Sequence, residues 1–198
     1  MGEHHPHTTP AEAQSLAERA AQRMWSNDRA SMALGMRIDA VGPGTAKLSM
    51  SVRADMLNGH DICHGGFVFT LADSAFAYAC NSYNLVTVAS GAGIEFLAPA
   101  REGDLLTALA HERSASGRTG VYDIEVTNQR GDRIALFRGK SYRIKGHITD
   151  TGEPGVMPAQ AGTQPTPDST GVVPAKAGSQ PPPDSPGVVP AKAGSQRL

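Results

Sequence analysis

The apolar residues of this chain recur with two different periods. From residue 10 to residue 27 they return every three or four positions, with Glu and Arg between them, which is the spacing of an amphipathic helix. Between residues 45 and 52 the period changes to two, which is typical of a strand with one face toward the core. Because Gly42-Pro43-Gly44 separates this segment from a strand-like segment at 36–41, we expect a β-hairpin.

The segment from Gly65 to Asn81 has almost no polar face, and a helix that is apolar nearly all round is a buried helix. Strand-like segments separated by turn residues follow it, and we expect them to form an antiparallel meander. One helix apolar enough to be the core, together with six strands, predicts an α+β fold in which an antiparallel sheet wraps around the helix. The four segments after the helix are 86–97, 105–114, 119–128 and 133–145.

The composition changes abruptly near residue 147. Pro, Gly, Ala, Ser and Gln then dominate, and a sequence that starts at Gly155 returns at Gly171 and Gly187. Such a segment has too few large apolar side chains to form a core. We therefore expect a flexible N-terminus at 1–9, one folded domain at 10–146, and a disordered low-complexity tail at 147–198.

Charge and cysteine content narrow the classes of function. The chain has 18 Lys and Arg against 19 Asp and Glu, and no long basic block, so we expect no binding to nucleic acid or to a membrane surface. Two cysteines are too few for a secreted disulfide scaffold. Neither a signal peptide nor an apolar run of about 18 residues is found. These observations predict a cytoplasmic protein that acts on a small molecule.

Two features of the buried helix point to chemistry. Asp73 is a carboxylate among apolar residues, and a buried charge costs several kcal/mol unless something compensates for it. His64-Gly65-Gly66 stands where the helix begins, and there the free amides and the helix dipole favour negative charge. A turn of this kind is suited to hold the oxyanion of an acyl-transfer reaction.

The segment from Asn58 to Ser82, which contains both features, resembles the signature helix of the phenylacetic-acid-degradation (PaaI-type) hotdog thioesterases. The similarity continues through 94–99, 119–125 and 135–141. The resemblance implies the hotdog fold and hydrolysis of phenylacetyl-CoA or its ring-hydroxylated derivatives to the free acid and CoA, without a cofactor. It assigns the catalytic carboxylate to Asp73, as nucleophile or general base, and the oxyanion donor to the Gly65 amide. His64 and Asn58 match positions that shape the site around the thioester carbonyl.

The spacing of the two groups adds a constraint on assembly. Gly65 and Asp73 are eight residues apart, which is about 12 Å along a helix and too far to flank one carbonyl carbon. The two groups of one site must therefore come from different subunits. This agrees with the family's active site at a subunit interface and predicts a homodimer or a homotetramer.

Four further residues are candidates for binding the CoA thioester: Gly66, Phe67 and Ser90 near the acyl group, and Arg118 at the CoA phosphates. Three alternatives remain. The domain is a hydratase of enoyl or hydroxyacyl thioesters, or a CoA-ester-binding module without catalysis, or it binds a metal through His60, Cys63 and His64. We expect no metal, because only three ligands and no fitting carboxylate are present.

Overall fold

A computed structural model describes residues 9–149. The expectations for the N-terminus at 1–9 and for the tail at 147–198 lie outside the described residues, apart from residues 9 and 147–149. Within residues 9–149, three α-helices and six strands follow one another in the order α1 (Pro10–Trp25), α2 (Arg29–Ala33), β1 (Arg37–Gly42), β2 (Thr45–Ser51), α3 (Gly65–Cys80), β3 (Leu85–Phe96), β4 (Leu105–Ser116), β5 (Thr119–Thr127) and β6 (Arg133–His147). A short 3-10 helix, Ala54–Met56, lies between β2 and α3.

All six strands form one antiparallel sheet with the order β1-β2-β4-β5-β6-β3. The predicted antiparallel sheet with one long helix is therefore confirmed. The predicted meander is wrong for β3, which pairs with β6 at the sheet edge, from Phe96 opposite Ala135 to Thr87 opposite Arg143. The segment between residues 97 and 104 does reverse the chain, as its turn residues indicate, but it leads to β2 rather than back along β3. Just after β2, the Val52 amide donates to the Asp104 carbonyl.

The sheet covers one side of α3 with large side chains. The buried ring of Phe76 contacts the rings of Tyr122 and Phe137, with centroids 5.4 and 6.2 Å away. Aromatic pairs at such distances add to the stabilisation that comes from burial alone. The close approach also needs Gly139 on β6, because a Cβ there would lie 2.8 Å from two carbons of the Phe76 ring.

α2 and its N-cap residue Asp28 cover another side of α3 with polar contacts. The Tyr78 hydroxyl donates to Asp28 at 3.0 Å, and the hydroxyls of Ser31 and Ser74 are 3.1 Å apart. Asp28 also caps α2 by accepting from the Ser31 amide. α3 is thus enclosed between the sheet and the α1–α2 segment.

The hydrogen-bonded structure continues slightly beyond β6. Asn84, which has a left-handed backbone with φ of 60°, accepts from the amide and hydroxyl of Thr149 at 2.7 and 3.1 Å. Its side-chain amide donates to the Thr149 carbonyl. The chain is therefore attached to the end of α3 as far as Thr149. Within residues 9–149 no helix is long and apolar enough to cross a bilayer.

The contact between Gly139 and Phe76 predicts a sharp loss of stability for Gly139→Ala. Since the Phe76 ring is 1% exposed and has little room to move, overpacking should lower the free energy of unfolding by about 1–3 kcal/mol. Urea denaturation at a fixed protein concentration measures the effect. Gly59→Ala is the control, because a Cβ there would meet nothing within 4 Å. Equal midpoints for the two variants would contradict close packing at Gly139.

Candidate active site

A short hydrogen-bonded loop brings the chain to the start of α3. Leu57 and Cys63 form an isolated antiparallel bridge, and the Asn58 amide donates to the Ile62 carbonyl at 2.9 Å. The Asn58 side chain accepts from the His60 amide, also at 2.9 Å. Asn58 therefore shapes the loop that precedes the glycine turn.

His64 is the N-cap of α3, and its position is fixed by both neighbouring segments. Its amide donates to the Met56 carbonyl at 2.8 Å, and the adjacent Cys63 amide donates to the Ala100 carbonyl at 2.9 Å. Its Nδ1 accepts from the Gly66 amide at 3.0 Å. A nitrogen that accepts carries no hydrogen, so the hydrogen of a neutral imidazole lies on Nε2.

The two glycines of the turn consequently differ. The Gly66 amide is used by His64, whereas the Gly65 amide has no acceptor within residues 9–149. As the first residue of α3, Gly65 also lies at the positive end of the helix dipole. One free, oriented N–H therefore marks the start of the helix.

Asp73 lies in the middle of α3 and is partly exposed. The other polar side chains of the helix body have partners: Thr70 donates to the Gly66 carbonyl, Ser74 contacts Ser31, and Tyr78 contacts Asp28. Asp73 forms no hydrogen bond or ion pair within residues 9–149. Burial raises the pKa of its carboxyl above the usual 3.8, because the apolar surroundings penalise the charged form.

The surroundings of Asp73 also affect a cysteine. Burial raises the pKa of the Cys80 thiol to about 12, and the negative charge of Asp73 contributes to the rise. Cys80 is 4% exposed and Cys63 is 5% exposed. Both thiols are free, and a buried thiol of high pKa is a poor nucleophile. Asp73 is therefore the group of this region that is suited to proton transfer or attack.

α3 runs without interruption from Gly65 to Cys80. Gly65 and Asp73 of one chain are therefore about 12 Å apart along the axis. The structure does not bring them together within one chain.

The predicted binding residues lie in three places. Phe67 is partly buried, packs against the core and contacts the edge of the His64 ring at 6.3 Å. Ser90 is exposed on the edge strand β3 and donates to the Lys140 carbonyl at 3.1 Å. Arg118 lies in the turn between β4 and β5, 5.1 Å above the Tyr142 ring. Phe96, whose ring packs against Gly65, pairs with Ala135, and Tyr142 is seven residues further along β6. Arg118 therefore lies toward the opposite end of the strand from Gly65 of its own chain, about 20 Å away along it.

One aromatic residue that the sequence did not indicate lies at the glycine turn. The ring of Phe96 packs against Gly65, and a Cβ on Gly65 would lie 2.8 Å from its Cζ. In the sequence this residue was marked only by the end of a strand-like segment and by the similar segment 94–99, neither of which gave it a role. Among residues 9–149, no group of three His, Cys, Asp or Glu side chains is arranged to hold a metal ion.

Comparison with known proteins identifies the family of the chain. The thioesterase superfamily model matches residues 60–135. Acyl-coenzyme A thioesterase PaaI of Escherichia coli (strain K12) is 54% identical over 129 residues, which are 65% of this chain and 92% of that protein.

Solved structures show the same fold. The E. coli PaaI protein from the phenylacetic acid degradation operon aligns with a TM-score of 0.67 and 51% identity over 68% of this chain and 98% of its own. A point mutant of the phenylacetic acid degradation protein PaaI from Thermus thermophilus gives a TM-score of 0.56 and 38% identity over 58% and 97%. A hypothetical thioesterase protein with coenzyme A from Streptococcus pneumoniae gives 0.53 and 25% over 55% and 87%.

The chain is more than half identical to E. coli PaaI over nearly the whole of that protein, and it shares the hotdog architecture. These two findings establish the family. This chain belongs to the PaaI-type acyl-CoA thioesterases of the thioesterase superfamily, which are thioester hydrolases.

Proposed function

We propose that this thioesterase hydrolyses phenylacetyl-CoA or ring-hydroxylated phenylacetyl-CoA, with Asp73 and the Gly65 amide as its catalytic groups. The observation that carries the proposal is that α3 holds one carboxylate and one backbone amide that have no partners within residues 9–149, each of the type that thioester hydrolysis needs. The choice of acyl group is supported by the E. coli relative, which comes from a phenylacetic acid degradation operon.

In the proposed reaction, Asp73 removes a proton from a water molecule as the water oxygen attacks the thioester carbon. The carbonyl oxygen becomes an oxyanion, which accepts from the Gly65 amide and is stabilised by the helix dipole. The tetrahedral intermediate then expels the CoA thiolate. Asp73 returns the proton to the leaving sulfur, so the carboxylate is regenerated and the free acid is formed.

The environment of Asp73 favours the role of general base over that of nucleophile. A raised pKa makes a carboxylate a better proton acceptor near neutral pH. No partner within residues 9–149 restrains its oxygens, so they are available to a water molecule. A nucleophilic Asp73 is the second candidate, and it requires an acyl-aspartyl anhydride that mass spectrometry of rapidly quenched enzyme would detect.

The distance between the two groups requires a second copy of the chain in each site. α3 runs antiparallel to β3, because Gly65 contacts Phe96 and Asn81 donates to the Thr87 carbonyl at 2.9 Å. Asp73, halfway along the helix, is therefore about level with Gly91. If two β3 edges pair antiparallel with Phe96 opposite the Gly91 region, Gly65 of one chain approaches Asp73 of the other.

The edge strand β3 supports this pairing. Its residues 88–93 are all exposed, and one side of its backbone has no neighbouring strand in the sheet formed by residues 9–149. Long unpaired edges of this kind are usually covered in a native assembly. We infer a homodimer built on this edge, alone or within a homotetramer.

The remaining candidates take supporting roles in the proposed site. His64 holds the Gly66 amide and leaves Nε2 free to face the substrate, while Asn58 shapes the loop before it. Ser90 is nearly level with Asp73 on β3. Arg118 lies at the end of the sheet remote from its own Gly65, so it serves the CoA phosphates of a site that includes a second chain. The free state of both cysteines supports placement in the reducing cytoplasm.

A panel of CoA thioesters tests the proposed substrate. We expect phenylacetyl-CoA to be hydrolysed with a higher kcat/KM than hexanoyl-CoA or crotonyl-CoA, as measured by release of free thiol. Crotonyl-CoA should show no loss of the enoyl absorbance beyond that due to hydrolysis. Hydration of crotonyl-CoA without thiol release would favour the hydratase alternative.

The Asp73→Asn variant should lose turnover by at least about 10²-fold, because proton transfer by a positioned side chain contributes this much to catalysis. Its affinity for phenylacetyl-CoA should change little, since the amide has nearly the same shape. Stopped-flow thiol release and equilibrium binding measure the two quantities. Retained turnover would show that the catalytic carboxylate has been misassigned.

The same variant should be more stable than the wild type at neutral pH. Since burial raises the pKa of Asp73 above 3.8, the folded state disfavours the charged form, and the cost is fully present above the raised pKa. The gain from Asp73→Asn should shrink as pH falls through the raised pKa toward 3.8, where the carboxyl becomes neutral in both states. Urea denaturation midpoints of the wild type and the variant at several pH values measure this gain. A difference between the two midpoints that does not change with pH would contradict the reasoning.

Mixing two inactive variants tests the shared site. Gly65→Pro removes the amide hydrogen at the first helical position, which proline favours, and His64, with ψ of 129°, has the extended conformation that precedes proline. When Gly65→Pro and Asp73→Asn are refolded together in equal amounts, half of the dimers contain one chain of each variant. Each mixed dimer holds one intact site out of two, so the mixture should show about a quarter of wild-type activity.

The control for this experiment is Gly65→Ala, which adds the same Cβ beside Phe96 but keeps the amide. Gly65→Pro should have a kcat about 10²-fold below that of Gly65→Ala. No recovery in the mixture, despite mixed dimers seen by native mass spectrometry, would mean that each site belongs to one chain.

A further inference from the structure

Phe96 is unusual among the apolar residues of the described chain. It is the last residue of β3 and is 55% exposed, the largest value among the exposed large hydrophobic residues of the segment 9–149. It is absent from the residues that pack against the core, although Ile94 and Ala98 on either side belong to them. The packing of the core therefore does not explain a phenylalanine at this position.

The contact that Phe96 does make is with the glycine turn. A Cβ on Gly65 would lie 2.8, 3.2 and 3.4 Å from three carbons of the Phe96 ring. Gly65 starts a regular helix, and its φ is not in the left-handed region, so the backbone conformation does not demand glycine. The space beside Gly65 is instead filled by the aromatic ring.

The ring is held in a fixed relation to the free amide. Phe96 pairs with Ala135 in the sheet, and the next residue, Leu97, donates to the Ile134 carbonyl at 2.9 Å. Ala100, a little further along, accepts from the Cys63 amide just before the turn. The end of β3 and the start of α3 thus form one hydrogen-bonded unit.

On the basis of the function proposed above, we propose that Phe96 determines the acyl specificity of the enzyme by forming the aromatic wall of the acyl site. A carbonyl oxygen bound to the Gly65 amide places the acyl group next to this ring. An aryl group one methylene beyond the carbonyl carbon then falls within about 4.5–7 Å of the Phe96 centroid, the range of favourable aromatic pairs. Phe67, the aromatic residue indicated by the sequence, packs toward the core instead.

The test compares an aryl and an alkyl substrate in the full-length enzyme. Phe96→Ala should lower kcat/KM for phenylacetyl-CoA about tenfold and for hexanoyl-CoA less than about twofold, because a flexible alkyl chain loses no ring contact. Phe96→Tyr keeps the ring and should retain the wild-type ratio. Leu136→Ala removes another exposed apolar side chain from the sheet and should leave both values unchanged.

The outcomes separate this role from a structural one. An equal loss for both substrates would mean that the ring only supports the glycine turn, and it would overturn the proposal, as would no loss at all. Thermal melting shows whether Phe96→Ala remains folded, and Phe96→Leu gives a second measurement with a smaller loss of volume if it does not.

The same assay distinguishes failure of this inference from failure of the catalytic proposal. An unchanged substrate ratio in Phe96→Ala, with neither substrate hydrolysed by Asp73→Asn, overturns the role of Phe96 and keeps the catalytic assignment. A changed substrate ratio in Phe96→Ala, together with full activity of Asp73→Asn, keeps the role of Phe96 and overturns the catalytic assignment.

Discussion

The structure depends on covering a helix that has almost no polar surface. The sheet encloses α3 through the rings around Phe76, and the α1–α2 segment encloses it through Asp28 and Ser31. A side chain on this helix is therefore either packed, or paired, or left at an edge. Asp73 and the Gly65 amide are polar groups left without a partner in residues 9–149, and the enclosure of the rest of α3 makes both of them conspicuous.

The rigidity of the same helix also separates these two groups. Since α3 is continuous, no side-chain rotation closes a gap of about 12 Å. In the proposed dimer, a second chain that pairs along β3 removes the difficulty without any distortion of α3. In this view the exposed edge strand and the incomplete site have one cause, because the pairing that covers the edge also supplies the missing group.

Much of the fold was predictable from periodicity, because long elements repeat their pattern several times, whereas α2, with five residues, is too short to show a period. The place of β3 beside β6 was predicted wrongly, because turn residues show where a chain reverses but not which strand it then joins. In the site, Asp73 and the glycine turn were evident because each contradicts its local pattern. The ring that fills the space beside Gly65 was not evident, because Phe96 fits an ordinary strand pattern.

The difference between the two glycines has a chemical consequence. Because His64 takes the Gly66 amide, the turn leaves one backbone donor rather than two for the proposed oxyanion. The helix dipole acts in the same direction as that donor, and the Phe96 ring packs against the Cα side of the same residue, Gly65. The cap that fixes the start of α3 thus also decides which amide is free, and in the proposed site the position of that amide beside Phe96 defines where the acyl group lies.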